Sequence, residues 1–257
     1  YFDLSVPTDD RPYFNYFTPF FRAFELFREN RDLALNIISF DEMITFLNLG
    51  VCLVLGVIFL VFPAAGILFG KKGDIPFSGA CYFLAIGFGF LFIELLLIQK
   101  LNRFTGDYLI SFITVLAGML MAAGAGSWLL APRVKSRGRF LILSLVFLLL
   151  LFLPLNFFFM EFGRLAVSHP VLHLVLVAIF GLAAAVCMGV FFPRGMAMAE
   201  KKSKLAPAWM WSFNGLASVV APAAETVISI RLGFTAVAVL VLVLYGTATG
   251  IYLFQRK

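Results

Sequence analysis

Long apolar runs without a charged side chain constrain the fold of this chain more than any other feature. An α-helix crosses the hydrocarbon core of a bilayer, about 30 Å thick, with roughly 20 mostly apolar residues. Seven segments meet that requirement, at residues 43–70, 75–93, 108–132, 140–160, 165–193, 205–224 and 232–255. The chain is 62% hydrophobic and 13% charged, with a mean hydropathy of +0.99. Because soluble domains are about 45–50% apolar and about 25% charged, the composition excludes a water-soluble globular protein.

The apolar runs are almost unbroken, as in residues 141–153, and do not alternate with polar positions. They therefore predict helices and not the strands of a membrane barrel. Turn-forming residues separate the runs, at Gly106-Asp107, Pro132-Arg133, Pro193-Arg194-Gly195 and Gly233. Short connections of this kind predict a compact all-α bundle, a polytopic membrane fold with about seven transmembrane helices.

The first 42 residues differ in character from the rest of the chain. They hold eight of the fourteen acidic residues, beside four arginines. Pro19 suits the first turn of a helix, and Phe20, Phe24 and Phe27 then share one face. Residues 19–30 are therefore predicted to form an amphipathic helix at the membrane surface. An aromatic-rich linker packed on a soluble domain is the alternative.

These differences divide the chain into an extramembrane segment, residues 1–42, and a seven-helix domain, residues 43–257. Because the first residue is Tyr1 and not Met, we expect further sequence upstream, with the segment ending a soluble domain. Asp9, Asp10 and Arg11 are the predicted interface with that domain or with other protein subunits.

The loop charges predict the orientation of the bundle in the membrane. One end collects twelve basic residues: Lys71, Lys72, Arg133, Lys135, Arg137, Arg139, Arg194, Lys201, Lys202, Lys204, Arg256 and Lys257. The other end has Lys100, Arg103, Arg164 and Arg231, and the four arginines of residues 1–42 do not reverse the imbalance. The positive-inside rule then predicts an inner-membrane protein with a cytoplasmic C-terminus and a periplasmic N-terminal segment.

Ionisable residues inside membrane spans are costly and are candidates for function. Glu94 and Glu225 each precede a basic residue, Lys100 and Arg231, by about one and a half turns. We expect both glutamates at similar depth near the outer face, in one pocket. The candidate substrate or ion site comprises Glu94, Gln99, Lys100, Asn214, Glu225 and Arg231. In the alternative interpretation, Glu94 pairs with Lys100 or Arg103, and Glu225 pairs with Arg231, to fix the helix ends.

Other chemistry-bearing residues form no recognisable site. His169 and His173 are weak metal candidates at i, i+4 spacing, but no HExxH motif accompanies them, and interfacial histidines are the better interpretation. The three cysteines lie in apolar runs without CxxC spacing. With no Ser-His-Asp arrangement, phosphate-binding loop or dinucleotide fingerprint, we predict neither catalysis nor a cofactor within these 257 residues.

Small residues recur every four positions in two of the predicted helices. One stripe contains Gly118, Ala122 and Gly126, and the other contains Gly181, Ala185 and Gly189. Such stripes allow helices to approach closely, so they predict packing surfaces.

Several motifs resemble one bacterial membrane-protein family. They are TDDRPYF at residues 8–14, YFLAIGFGFLFIELLLIQK at residues 82–100, GAGS at residues 124–127 and WMWSFNGLAS at residues 209–218. They are similar to the membrane region of fused transporter and spermidine synthase proteins, which join a spermidine-synthase-like domain to multiple spans. The resemblance implies an upstream Rossmann-like domain that binds S-adenosyl-type nucleotides. A polyamine synthase belongs inside the cell, whereas the loop charges predict an external N-terminal segment, and we follow the charges.

Three functional hypotheses stay open. The first is a non-catalytic domain that anchors and positions a spermidine-synthase-like domain or a membrane complex. The second is a carrier or channel for a small cation, a polyamine or proton, using Glu94 and Glu225. The third is the membrane part of an aminopropyltransferase-type enzyme with its active site upstream. Expected partners are lipid and a domain or subunits docked on the N-terminal side. Oligomerisation stays open, and nucleic acid is excluded because the basic residues lie in short loops.

Overall fold

Seven long helices make up almost all of the described structure. The computed structural model describes residues 10–11, 25, 28–29, 40–69, 77–160 and 170–254. The helices are α1 (Phe40–Phe69), α2 (Phe77–Thr105), α3 (Tyr108–Leu129), α4 (Arg137–Met160), α5 (Pro170–Glu200), α6 (Ala206–Leu232) and α7 (Phe234–Phe254). These ranges contain no strand. The predicted all-α bundle is therefore confirmed, with one helix for each apolar run.

Five of the helices are long and apolar enough to cross a membrane by length and composition. They contain the spans Phe77–Arg103, Tyr108–Leu129, Ala178–Glu200, Ala206–Leu232 and Phe234–Phe254. The other two helices, α1 and α4, are 30 and 24 residues long, with their side chains described only in part. The chain is thus a multi-pass membrane protein.

Helix α5 continues past the point where the sequence predicts its end. The prediction of a turn at Pro193-Arg194-Gly195 is wrong, because α5 continues through Pro193 to Glu200. A proline removes one hydrogen bond of a helix, here the bond to the carbonyl of Gly189, and packing by neighbours can keep the helix continuous. Close to Pro193, the hydroxyl of Tyr82 on α2 donates a hydrogen bond to the carbonyl oxygen of Phe191 at 2.7 Å. Arg194, expected in a loop, lies inside α5 and contacts the Tyr252 hydroxyl at 3.4 Å.

Helix α2 lies at the centre of the bundle, packed against α3, α5, α6 and α7. Its glycines permit these contacts. A Cβ built at Gly87 would lie 2.7 Å from Cβ of Ala217 on α6, and one at Gly89 would lie 2.6 Å from the Tyr245 ring on α7. Gly87 faces Ala217, and farther along both helices Gln99 bonds to Glu225, so α2 and α6 run in the same direction as predicted.

Helices α3 and α5 approach each other most closely at two glycines. A Cβ built at Gly126 would overlap the carbonyl oxygen of Val186, and one at Gly189 would overlap the carbonyl oxygen of Ala123. Each glycine therefore faces the backbone of the opposite helix. The predicted small-residue stripes are packing surfaces, as their spacing indicates.

The outer surface of the bundle is apolar, as expected for contact with lipid. On α7, Val237 and Val241 are buried, whereas Val239 and Val243 are 50% and 57% exposed. A helix that is apolar on both its inner and outer faces belongs in hydrocarbon and not at a water interface. Exposure of these valines therefore agrees with the membrane assignment.

The predicted surface helix at residues 19–30 falls mostly outside the described residues. Glu25, Arg28 and Glu29 are helical and exposed, which agrees with the polar side of that helix at those three positions. Residues Asp9 and His169 also lie outside the described part, and of His173 only the helical backbone is described.

The close approach of α3 and α5 predicts an asymmetric response to added methyl groups. Gly126→Ala should lower the free energy of unfolding by about 3 kcal/mol, because the new Cβ overlaps a backbone carbonyl that cannot rotate away. Gly124→Ala is the matched control on the same helix, where nothing lies within 4 Å of an added Cβ. Thermal unfolding of both variants in detergent measures the difference. Equal stabilities would contradict the packing described here.

Candidate functional site

A cavity of about 550 Å³ lies among five helices of the bundle. Its polar lining comes from Glu94 on α2, Ser127 on α3, Asn214 and Ser218 on α6, and Tyr245 on α7. The remaining wall is largely apolar and aromatic, including Phe90, Leu116, Leu120, Met188, Phe191 and Phe192. A cavity of this size, mostly apolar with a few polar groups, is typical of a small-molecule site.

Glu94 is the acidic residue of the cavity wall, and its side chain is 5% exposed. Within the described part of the chain, no hydrogen bond or ion pair reaches its carboxyl group. The alternative interpretation placed Lys100 or Arg103 beside it. Instead the Lys100 ammonium lies 5.4 Å, and the Arg103 guanidinium 5.0 Å, from the centre of the Phe234 ring. These are cation–π distances.

Glu225 is fully buried between α6 and α2. Its Oε2 atom accepts a hydrogen bond from Nε2 of Gln99 at 3.0 Å. Its Oε1 atom has no hydrogen-bond partner among the described residues. Gln99, and not the expected Arg231, is thus the described partner of Glu225. Arg231 lies in the last turn of α6 and is half-buried.

The expectation of one pocket holding both glutamates needs correction. Glu94 and Asn214 line the cavity, whereas Gln99, Lys100, Glu225 and Arg231 are not among its lining residues. Glu225 bonds to Gln99, and Glu94 precedes Gln99 by five residues on α2. Of the predicted set, two residues thus line the cavity and the other four do not.

Two prolines each free the main-chain carbonyl of a residue that lines the cavity. Pro193 has no N–H group to bond to the carbonyl of Gly189, four residues before it, and Pro222 has none for Ser218. Gly189 and Ser218 both line the cavity. Each carbonyl therefore lacks its usual intrahelical donor.

The N-terminal segment contacts the turn between α6 and α7 at Asp10 and Arg11. The Asp10 carboxylate accepts hydrogen bonds from the backbone N–H and the hydroxyl of Thr235, both at 2.8 Å. Its carbonyl accepts a third bond from the Phe234 N–H at 3.0 Å. Arg11 donates through Nε to the carbonyl oxygen of Ile230 at 3.2 Å. Two of the three residues of the predicted interface therefore contact the chain's own bundle.

Gly233 makes this contact sterically feasible. Its φ of +87° lies in the left-handed region, and a Cβ there would overlap the Asp10 carboxylate. Because glycine has no side chain to cap α7, Asp10 takes the part of the N-cap residue by bonding the second residue of the helix. An anionic group at this position also interacts favourably with the helix dipole.

Metal ligation has no support in the described residues. They contain no group of three or more His, Cys, Asp or Glu side chains placed to hold an ion. The candidates His169 and His173 are not described at the side-chain level, so that prediction stays open.

Sequence reasoning missed Tyr245, Ser127 and Thr235 as parts of these sites. Tyr245 and Ser127 lie in apolar runs where nothing local indicates a cavity. Proline four residues after Gly189 or Ser218 was a usable signal for the freed carbonyls. Thr235 meets a residue 225 positions away, and no pattern in the sequence links the two.

Compared with protein-family models, characterised proteins and solved structures, the chain gives no match. Its resemblance to fused transporter and spermidine synthase proteins accordingly stays a prediction from the motifs quoted above.

The bond between Gln99 and Glu225 predicts a coupled response to substitution. Gln99→Leu should lower the free energy of unfolding by about 1–3 kcal/mol, because it leaves a buried carboxyl group without its donor. Adding Glu225→Leu should recover much of that loss, since both polar groups are then replaced by apolar ones. Thermal unfolding of the two single variants and the double variant tests the coupling. Strictly additive losses would show that the two side chains do not interact.

Proposed function

We propose that this chain is a non-catalytic membrane domain that anchors and positions an adjoining domain or membrane complex on its N-terminal side. The observation that carries the proposal is the attachment of Asp10 and Arg11 to the turn between α6 and α7. A flexible tether would need no such contact. Four hydrogen bonds to two helix ends instead favour a fixed position for whatever precedes residue 10.

The adjoining domain is proposed to be spermidine-synthase-like, on the strength of the motif at residues 8–14 and its resemblance to the fused proteins. In a second version of this proposal, the adjoining domain is catalytic. The whole protein is then an aminopropyltransferase-type enzyme with its active site in that domain. Nucleotide binding by a chain extended upstream separates the two, because the non-catalytic anchor requires none.

Loss of the Asp10 cap should loosen the attachment. Asp10→Ala removes the acceptor of two hydrogen bonds, and we expect a loss of about 1 kcal/mol in the free energy of unfolding. Tryptic cleavage after the arginines of the N-terminal segment should become several-fold faster. Glu29→Ala is the control, because that exposed acid lies in the same segment. Unchanged cleavage of Asp10→Ala would contradict the anchoring role.

We propose further that the protein lies in the bacterial inner membrane, with the C-terminus in the cytoplasm and residues 1–42 in the periplasm. The described loops support this arrangement. Asp10 and Arg11 contact the α6–α7 turn, and Lys100 and Arg103 lie near Phe234 at that end. The α3–α4 and α5–α6 connections carry the richer basic set, including Lys135, Lys201, Lys202 and Lys204.

Cysteine labelling tests the orientation. In a background without Cys52, Cys81 and Cys187, a membrane-impermeant maleimide should label Glu29→Cys in intact cells. It should label Lys135→Cys only after the membrane is opened, because that loop faces the cytoplasm in this arrangement. The reverse pattern would invert the proposed orientation.

A second candidate function, carriage of a small cation, is favoured by one observation. Glu94 lies on the wall of the cavity, and no described residue pairs with its carboxyl group. Buried acids in membrane spans commonly mark ion or substrate pathways. Glu225, bonded to Gln99 outside the cavity, supports this function less than the sequence suggested.

A further inference from the structure

We propose that the cavity beside Glu94 is a binding site for an amphiphilic organic ammonium ion that enters from the bilayer between α3 and α6. The inference rests on the second candidate function and deepens it by naming the ligand class. It requires binding alone and does not require transport.

The charge of the ligand follows from Glu94. Its side chain is 5% exposed inside an apolar span, and none of the described residues donates a hydrogen bond to it. A carboxyl group in such a place without a partner is expensive. A cationic ligand supplies both the opposite charge and the missing donor, and charge-assisted hydrogen bonds are the strong ones.

The other polar groups of the wall select an N–H donor. Asn214, Ser127 and Ser218 offer side-chain oxygens, and the carbonyls of Gly189 and Ser218 lack their intrahelical donors. A primary ammonium group has three N–H donors to distribute among such acceptors. Calcium fits less well, because it takes six to eight oxygen ligands, several of them from carboxylates, and the described part of the wall has one carboxylate.

The apolar wall calls for an apolar body on the ligand. Phe90, Phe191 and Phe192 line the cavity together with Leu116 and Leu120. Aromatic faces attract cations and also accept hydrocarbon groups. A hydrated inorganic ion would leave this surface without a partner, whereas an amine with a small hydrophobic body fills it.

The entrance lies on the lipid side. Helix α3 packs mainly on α2 and α5, α6 packs mainly on α1, α2, α5 and α7, and both α3 and α6 line the cavity. Leu120 and Gly124 on α3 and Ser218 on α6 line the cavity and are themselves exposed. The opening between these helices faces the region that lipid occupies. A ligand arriving there must partition into the bilayer, which indicates an amphiphile.

Binding of 2-phenylethylammonium to the protein in lipid nanodiscs, measured by titration calorimetry, tests the site. We expect saturable binding of the amine and none of its neutral isostere, 2-phenylethanol. Glu94→Gln should weaken binding by about tenfold or more, the size expected for one charge-assisted hydrogen bond. Glu225→Gln is the matched control, since this buried acid on the neighbouring helix lies outside the cavity and should leave the affinity unchanged.

A second pair of variants tests the location of the binding site without changing any charge. Gly124→Leu should abolish binding, because Gly124 lines the cavity and nothing lies within 4 Å of an added Cβ. Gly215→Leu should bind normally, since Gly215 is equally unobstructed but lines a separate cavity of about 410 Å³ between α1 and α6. If Glu94→Gln does not fold, these two glycine variants still test the proposal.

Three results would overturn the proposal: no saturable binding of the amine, equal binding of amine and alcohol, or full affinity in Gly124→Leu. Uptake of the same amine into proteoliposomes addresses transport separately. Binding without uptake overturns the carrier function and leaves the site in place, whereas the absence of binding removes the site itself.

Discussion

Close contact between helix backbones at glycine is the constraint on which the rest of this bundle depends. Lipid tails are as apolar as a leucine side chain, so the hydrophobic effect does not drive helices together inside a membrane. The helices associate through van der Waals packing and hydrogen bonds. Gly126 and Gly189 bring α3 onto α5, while Gly87 and Gly89 fit α2 against α6 and α7. These contacts fix α2 at the centre, and the positions of Glu94 and Gln99 follow from it.

The two buried acids differ in what their carboxyl groups meet. Glu225 on α6 accepts a hydrogen bond from Gln99 on α2, so the pair forms a polar contact within a packed interface. Glu94 on α2 lines the cavity, and none of the described residues donates a hydrogen bond to it. One residue type in two apolar helices thus serves packing in one place and faces open space in the other.

Much of the fold could be predicted from the sequence, because lipid imposes long apolar runs and charged loops that are visible residue by residue. The boundaries of α3 and α7 follow such signals closely. The predicted end of α5 was wrong, because α5 packs against Tyr82 near Gly195 and stays helical through Pro193. Within the site, the choice of Glu94 as a candidate followed from the cost of an acid in a membrane span. The partner of Glu225 was not predictable, because which side chain reaches it depends on how α2 and α6 are placed against each other.

The cap that Asp10 gives to α7 joins residues 225 positions apart, and this has a consequence for biogenesis. Spans enter the bilayer in chain order, so α7 receives its cap from a segment that is synthesised before all seven helices. If a single span failed to insert, Asp10 and Thr235 would end on opposite sides of the membrane. The first turn of α7 would then keep unsatisfied N–H groups. The hydrogen bonds at this turn are therefore compatible only with an even number of crossings between them, and they favour chains whose insertion is complete.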